Sequence, residues 1–264
     1  MTAVATDSVD GALAELVRAA RENVEIEPLT DVWPALDERT AYEIQERLVA
    51  AHIADEGTRL IGRKLGLTSV AKQKQMSVDR PIYGSLIASR AINDGEAVAV
   101  ASLIHPKAEP EIAVVTNRDL AGPGVTAEAA RAAIDSASVA IEIIDSRFRN
   151  FRFTYTDVIA DNTSAARFAI STLRVLAAGL DLRTLGAVLE KNGEVVATAA
   201  GAAILGDPAI GLAWLANAMA EHGATLPAGS VVMTGALTDA IAVAPGDVVR
   251  VTIAQLGSLA IRFR

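Results

Sequence analysis

The hydrophobic periodicity of this 264-residue chain changes once, near Leu60, and that change limits the folds open to it. Before it, Val9, Leu13, Leu16, Val17 and Ala20 recur at helical spacing. Pro28 and Pro34 interrupt that pattern. A second helix is expected from a Thr40-x-x-Glu43 capping box, with Ile44, Leu48 and Ala51 on its apolar face and Gly57 at its end. Beyond Leu60, short apolar runs alternate with Gly, Pro, Asn and Asp. Strands are expected over 97–103, 111–116, 230–234, 247–254 and 259–263, and a hairpin over 185–198 turning at Asn192-Gly193. Helices are expected over 126–140, capped by Thr126, and from Asp207-Pro208 to Gly223. Helices first, then many strands with few helices inserted, is an α+β pattern and not a βαβ alternation. The division expected is a helical N-terminal region over 1–60 and a strand-rich catalytic region over 61–264.

Composition narrows the functions. Apolar residues make up 51% and aromatics only 4%, so the core must be built from Ala, Val, Leu and Ile. A net charge of -8 disfavours nucleic-acid binding, so no nucleic-acid partner is expected. With no cysteine, disulfides, thiolate zinc sites, iron–sulfur clusters and cysteine nucleophiles are excluded. No apolar run of about 18 residues suggests a membrane span. Met1 to Asp10 is polar and lacks a targeting pattern, so a cytoplasmic location is expected. No fixed-period repeat and no phosphate loop appear; Gly122-Pro123-Gly124 reads as a turn.

Three acids stand out. Glu109 and Glu111 are two apart in an extended segment, so their side chains share a face. Like charges that close raise each other's pKa unless a cation lies between them. Glu142 sits within Ile141-Glu142-Ile143-Ile144, where a lone charge is costly to bury. Together they could hold a hard cation facially. Spacing alone leans the other way, towards Glu109 and Glu111 on the wet face of an edge strand and Glu142 at a helix end.

Other polar residues lie in apolar surroundings. Lys64 is bracketed by Gly62 and Gly66, and desolvation there would suit acid–base work; a surface lysine beside Arg63 fits as well. Asp145, Ser146, Asp157, Asp161 and Asn162 read as turn builders. Ser164 offers a hydroxyl to a substrate carboxylate, and Thr234-Gly235 ends a strand where backbone N–H groups could meet an anion. His52, His105 and His222 show no metal-ligand spacing and read as structural or turn residues.

Six segments in order carry a resemblance: Gly62-Arg63-Lys64-Leu65-Gly66-Leu67-Thr68-Ser69, Pro81-Ile82-Tyr83-Gly84, Glu109-Pro110-Glu111-Ile112-Ala113, Glu142-Ile143-Ile144-Asp145-Ser146-Arg147, Ile159-Ala160-Asp161-Asn162-Thr163-Ser164 and Val232-Met233-Thr234-Gly235. From about Tyr42 onward the chain resembles the fumarylacetoacetate hydrolase superfamily, in its branch of 2-oxopentenoate hydratases and 2-oxo-3-hexenedioate decarboxylases. The resemblance implies a mixed β-sandwich roll with a helical N-terminal region. It implies Mg²⁺, or Mn²⁺, at Glu109, Glu111 and Glu142. Lys64 matches the active-site lysine and Ser164 a substrate-contacting position; Leu65 and Thr234 are further substrate-binding candidates. Phe148 to Phe153 and Ala165 to Phe168 look like the decarboxylase side of the branch. Two departures occur: Ala169-Ile170-Ser171 stands where a Gly is usual, and Pro110 stands where Ala is commoner.

The implied activity is decarboxylation of a small 2-oxo dicarboxylic acid in meta-cleavage aromatic catabolism, with the metal as Lewis acid for the 2-oxo oxygen. Lys64 would shuttle a proton or steady the enolate oxygen. Arg147 and Arg167 are candidates to receive the second carboxylate, since guanidinium forks match it. The alternatives are hydration of the dienol and a non-catalytic role beside a hydratase. A homo-oligomer, and a complex with such a hydratase, are expected.

Overall fold

The computed structural model describes residues 6–93 and 96–264. Some of the N-terminal segment read for a targeting pattern, residues 1–5, lies outside that range. Three helices come first: α1 (Thr6–Glu22), α2 (Leu29–Val32) and α3 (Glu38–Glu56). Asp37, not Thr40, caps α3. Its carboxylate accepts the Thr40 N–H at 2.8 Å, which satisfies one of the helix's free donors and leaves Thr40 inside the helix. Gly57, at φ +59°, ends α3 as expected.

Next come β1 (Leu60–Gly66), α4 (Val70–Gln75), β2 (Ile82–Ile87), β3 (Ala91–Ile92), β4 (Ala97–Val98), β5 (Lys107–Thr116), α5 (Ala127–Ala132) and β6 (Ile134–Ile144). Two expectations fail here. The strand expected over 97–103 stops at Val98 and becomes a 3-10 turn over Val100–Ser102. The helix opened by Thr126 ends at Ala132, and Ile134–Ile144 is a strand. That strand is buried on both faces, so its apolar run is nearly continuous and carries no period that separates strand from helix.

The chain continues with α6 (Tyr155–Ala160), β7 (Ala165–Ile170), β8 (Val175–Leu176), β9 (Gly186–Lys191), β10 (Glu194–Ala200), α7 (Pro208–Glu221), β11 (Val231–Ala236), β12 (Ile241–Ala242), β13 (Val248–Ile253) and β14 (Gly257–Phe263). The β9–β10 hairpin turns at Asn192-Gly193, both at positive φ, as their residue types demand. Asp207 caps α7 through the Ala209 N–H at 2.8 Å. Within Gly201–Glu221 an 18-residue window has a mean hydropathy of 1.3 and is 56% buried, and α7 sends Leu212, Leu215, Ala216 and Met219 into the core.

The larger sheet runs β2-β1-β11-β5-β6-β7-β3, and the smaller β10-β9-β13-β14-β4. Their inner faces share one core: Ile112, Val114, Val139 and Ile141 from the first, Val249, Val251, Leu259 and Ile261 from the second. Each such side chain contributes roughly 1.5–3 kcal/mol by leaving water. The N-terminal helices join the same core. Gln45 of α3 donates to the carbonyls of Tyr83 and Ile159 at 3.0 and 2.7 Å, tying α3 to β2 and α6. This mixed α+β roll places β1, β11, β5 and β6 side by side, and the site lies on those four strands.

Candidate active site

Strand alternation sends Glu109 and Glu111 of β5 to one face. Glu142 of β6 stands directly opposite Glu109 in the ladder. One oxygen from each of the three carboxylates lies within 4.8 Å of the others. The edge-strand alternative fails, because β5 is flanked by β11 and β6. All three acids are buried, Glu111 at 0% exposure and Glu142 at 1%.

Burial pushes the Glu111 carboxyl well above its ordinary range; nearby Glu142 adds to this, and Lys64 opposes it. Glu142 is raised by burial too, with Lys64 again opposing. Oε2 of Glu111 accepts the Gly235 N–H at 2.8 Å. Oε1 of Glu111 and Oε2 of Glu142 accept no hydrogen bond. Buried carboxylate oxygens without donors, converging from three residues, fit a hard divalent cation such as Mg²⁺ or Mn²⁺. Gly235 is at φ +109°, and a Cβ there would lie 2.2 Å from Thr68 Oγ1, so only glycine brings this N–H to Glu111.

Lys64 is buried on β1. Its Nζ lies 2.8 Å from Glu142 Oε1 and donates to the Thr163 carbonyl at 2.9 Å. The hydrogen bond goes to Thr163; the contact with Glu142 is an ion pair that lacks hydrogen-bond alignment. Lys72, on α4, was missed by sequence reasoning. Its Nζ lies 2.9 Å from Glu109 Oε1. Burial would lower its pKa, but Glu109 overrides this and the net shift is upward. The available signal was Ser69 before Val-Ala-Lys-Gln, a cap ahead of helix formers; Ser69 does cap α4 through the Lys72 N–H at 3.2 Å.

Asn162, Thr163 and Ser164 have φ of 48°, 54° and 56°, three consecutive left-handed residues without a glycine. Such a run is strained and persists only where its surroundings hold it. Asn162 and Ser85 exchange two hydrogen bonds, at 2.7 and 3.1 Å. Thr163 Oγ1 donates to Tyr83 O at 2.9 Å. The run presents Ser164, whose buried hydroxyl has no partner.

Lys64, Leu65, Lys72, Glu109 and Ser164 line one cavity of about 310 Å³. Thr234 is not among its walls; its hydroxyl donates to Ile112 O at 2.9 Å, and the neighbouring Gly235 N–H meets an anion, the Glu111 carboxylate. Arg147 and Arg167 line a second cavity, with His52, Arg90 and, from the trio, Glu142. The Arg147 fork is taken up by Asp161, through its Nε to the carboxylate and its second nitrogen to the Asp161 carbonyl at 2.7 Å. Burial pushes the Asp161 carboxyl to about 6 although Arg147 pulls it down. Asp145 accepts the N–H groups of Ile104 and His105 at 2.8 and 2.7 Å. His105 Nδ1 meets Glu25 at 3.0 Å, while His222 packs its ring on Tyr42.

Comparison with known proteins agrees with this geometry. Residues 58–264 match the family described as fumarylacetoacetate (FAA) hydrolase C-terminal. The chain is 46% identical to a 4-oxalocrotonate decarboxylase of Pseudomonas sp. (strain CF600), over 96% of each chain. It is 41% identical to a 2-keto-4-pentenoate hydratase of Burkholderia vietnamiensis, over 97% of this chain and 98% of that one. The solved 4-oxalocrotonate decarboxylase from Pseudomonas putida G7, complexed with magnesium and adipate, superposes with a TM-score of 0.96 at 41% identity, covering all of both chains. The six motifs, the four-strand site and these matches agree: the chain belongs to the fumarylacetoacetate hydrolase superfamily.

Proposed function

We propose that this protein is a Mg²⁺-dependent carboxy-lyase that converts 2-oxohex-3-enedioate into 2-hydroxypenta-2,4-dienoate and CO₂, in the meta-cleavage branch of aromatic catabolism. The observation that carries this reading is the buried carboxylate trio with two unpartnered oxygens. Preference for decarboxylation over hydration rests on the higher identity with the decarboxylase, 46% against 41%.

Glu109, Glu111 and Glu142 hold the cation, and Mn²⁺ suits the same oxygens. Bound there, the cation supplies Lewis acidity for the 2-oxo group. Ser164 uses its free hydroxyl to orient the C1 carboxylate. Lys64, fixed between Glu142 and Thr163, holds a proton at Nζ beside the cradle. The C5–C6 bond breaks and CO₂ leaves. Its electron pair becomes the C4–C5 double bond, the C3–C4 pair moves to C2–C3, and the carbonyl pair moves onto oxygen. Protonation of that oxygen gives the dienol. Leu65, Ile82 and Val158 line the cavity and keep water from the developing charge.

In this reading residues 61–264 are the catalytic region, and the helices within residues 1–60 buttress it. The protein works in the cytoplasm as a homo-oligomer, beside a hydratase that consumes the dienol. The test is purified protein with Mg²⁺ and 2-oxohex-3-enedioate: CO₂ release that stops with EDTA is expected, and no metal-dependent CO₂ overturns the reading. Supplying the dienol directly separates hydration, which would give 4-hydroxy-2-oxopentanoate. Co-purification with a hydratase tests the partnership.

A further inference from the structure

Three lysines line the cavity: Lys64, Lys72 and Lys107. Two are matched by acids of the cradle, Lys64 by Glu142 and Lys72 by Glu109. Among the described residues Lys107 has no carboxylate within ion-pair distance, and it donates no side-chain hydrogen bond to another residue. Its partner is a ring: Nζ lies 4.0 Å from the centroid of Phe151. A cation over an aromatic face is held weakly and keeps its N–H groups for another acceptor.

The position of Lys107 is set by the strand that carries the cradle. Lys107, Glu109 and Glu111 are alternate residues of β5 and share a face. Successive same-face positions are about 6.7 Å apart. A six-carbon chain with a carboxylate at each end spans about 6 Å between its terminal carbons when extended. A substrate whose 2-oxo acid end is anchored at the cradle and whose chain follows β5 therefore brings its other carboxylate to Lys107. Beside Lys107 the wall is apolar: Ile144, opposite it in the ladder, with Phe151 and Phe153. Lys107 is the lysine of this cavity that no acid matches.

We infer that Lys107, braced on Phe151, is the residue that selects dicarboxylic over monocarboxylic 2-oxo acids by pairing with the carboxylate farthest from the cradle. This rests on the reading of the cradle as the anchor for a 2-oxo acid. It reassigns the role that Arg147 and Arg167 were expected to fill. The pairing belongs to the ground state, because the carboxylate loses its charge as CO₂ forms. Losing the lysine therefore weakens binding, so KM rises while kcat does not fall.

The test is calorimetric binding to Mg²⁺-loaded protein of 2-oxoadipate, which keeps both carboxylates, and of 2-oxohexanoate, which lacks the distal one. Wild type should bind 2-oxoadipate more tightly. Lys107→Met should weaken 2-oxoadipate about 10- to 100-fold, the usual range for a hydrogen-bonded charge pair, and leave 2-oxohexanoate unchanged. Lys107→Arg should restore most of the preference, and Lys107→Gln serves as a second neutral variant. Retained 2-oxohexanoate binding shows that a variant is folded and that its cradle works. Equal binding of the two acids by wild type, or 2-oxoadipate binding untouched in both neutral variants, overturns the inference. Failure of the decarboxylase reading looks different: no CO₂ from 2-oxohex-3-enedioate, with the Lys107-dependent preference still present.

Discussion

Glu109 on β5 and Glu142 on β6 face each other as a directly paired couple in an antiparallel ladder, both buried. Two like charges opposite one another weaken a sheet. Here a third acid, Glu111, joins them, and among the described residues two lysines and one backbone N–H offset the three. The pair is therefore a local fault in the sheet that a cation bound there, as proposed, would repair.

Metal should accordingly stabilise the fold. Saturation at about 100 times Kd is expected to add roughly 2.7 kcal/mol, visible as a rise in Tm. Glu111→Gln removes one proposed ligand and a carboxyl that burial pushes well above its ordinary range. Its metal-free form should melt at or above the wild-type temperature, with little response to Mg²⁺. Thermal melts with EDTA and with excess Mg²⁺ check this, and an undiminished Mg²⁺ response in the variant contradicts it.

Lys64→Met leaves Glu142 without its buried counter-charge. Breaking a buried pair costs about 3–5 kcal/mol, so the metal-free variant should unfold at lower denaturant. With Mg²⁺ added, stability should recover in part. Turnover should stay about 100- to 10,000-fold down, because the proton at Nζ is gone. Urea titrations and rates, each with and without Mg²⁺, separate the two effects.

The strained run over Asn162–Ser164 depends on close packing against Gly84. A Cβ on Gly84 would lie 2.8 Å from the Asn162 carbonyl oxygen. Gly84→Ala should push the run away, costing about 1–3 kcal/mol. It should also lower activity more than it lowers metal affinity, since Ser164 moves while the three acids stay. Calorimetric Mg²⁺ binding next to steady-state rates tests this ordering.

His52 sets an acid limit. Burial, then the charges of Arg90 and Arg147, lower its pKa from 6.5 to about 4. The unfolded chain takes up the proton near 6.5 and the folded one near 4. The contribution of this residue is thus complete above pH 6.5 and is lost as pH falls towards 4. It is worth on the order of 1–3 kcal/mol. His52→Gln should flatten the stability curve across that window, read from urea midpoints at half-unit pH steps.

Much of this was written in local chemistry. Caps and turns such as Asp207-Pro208, Gly57 and Asn192-Gly193 act within a few residues, so the chain declares them. The six motifs pointed to Glu109, Glu111, Glu142, Lys64 and Ser164, which the fold gathers within one site. What stayed hidden depends on neighbours far away in the chain. Ile134 to Ala140 passed for helix because burial on both faces of that strand erased its period. Lys72 carries no mark of its partnership with Glu109, 37 residues on. Arg147 looked free because its partner Asp161 looked like a turn former. Lys107 drew no notice, since an unmatched lysine is recognisable only once the acids around it are located.

The insertion of β11 between β1 and β5 has a consequence during biosynthesis. The N–H that Gly235 gives to Glu111 arrives 124 residues after its acceptor. While the ribosome is still producing that interval, β5 and β6 can pair, but the seam reserved for β11 stays open beside the acids. Closure is thus a late, long-range event. A nascent chain halted before residue 231 would expose an unpaired strand edge to chaperones and proteases.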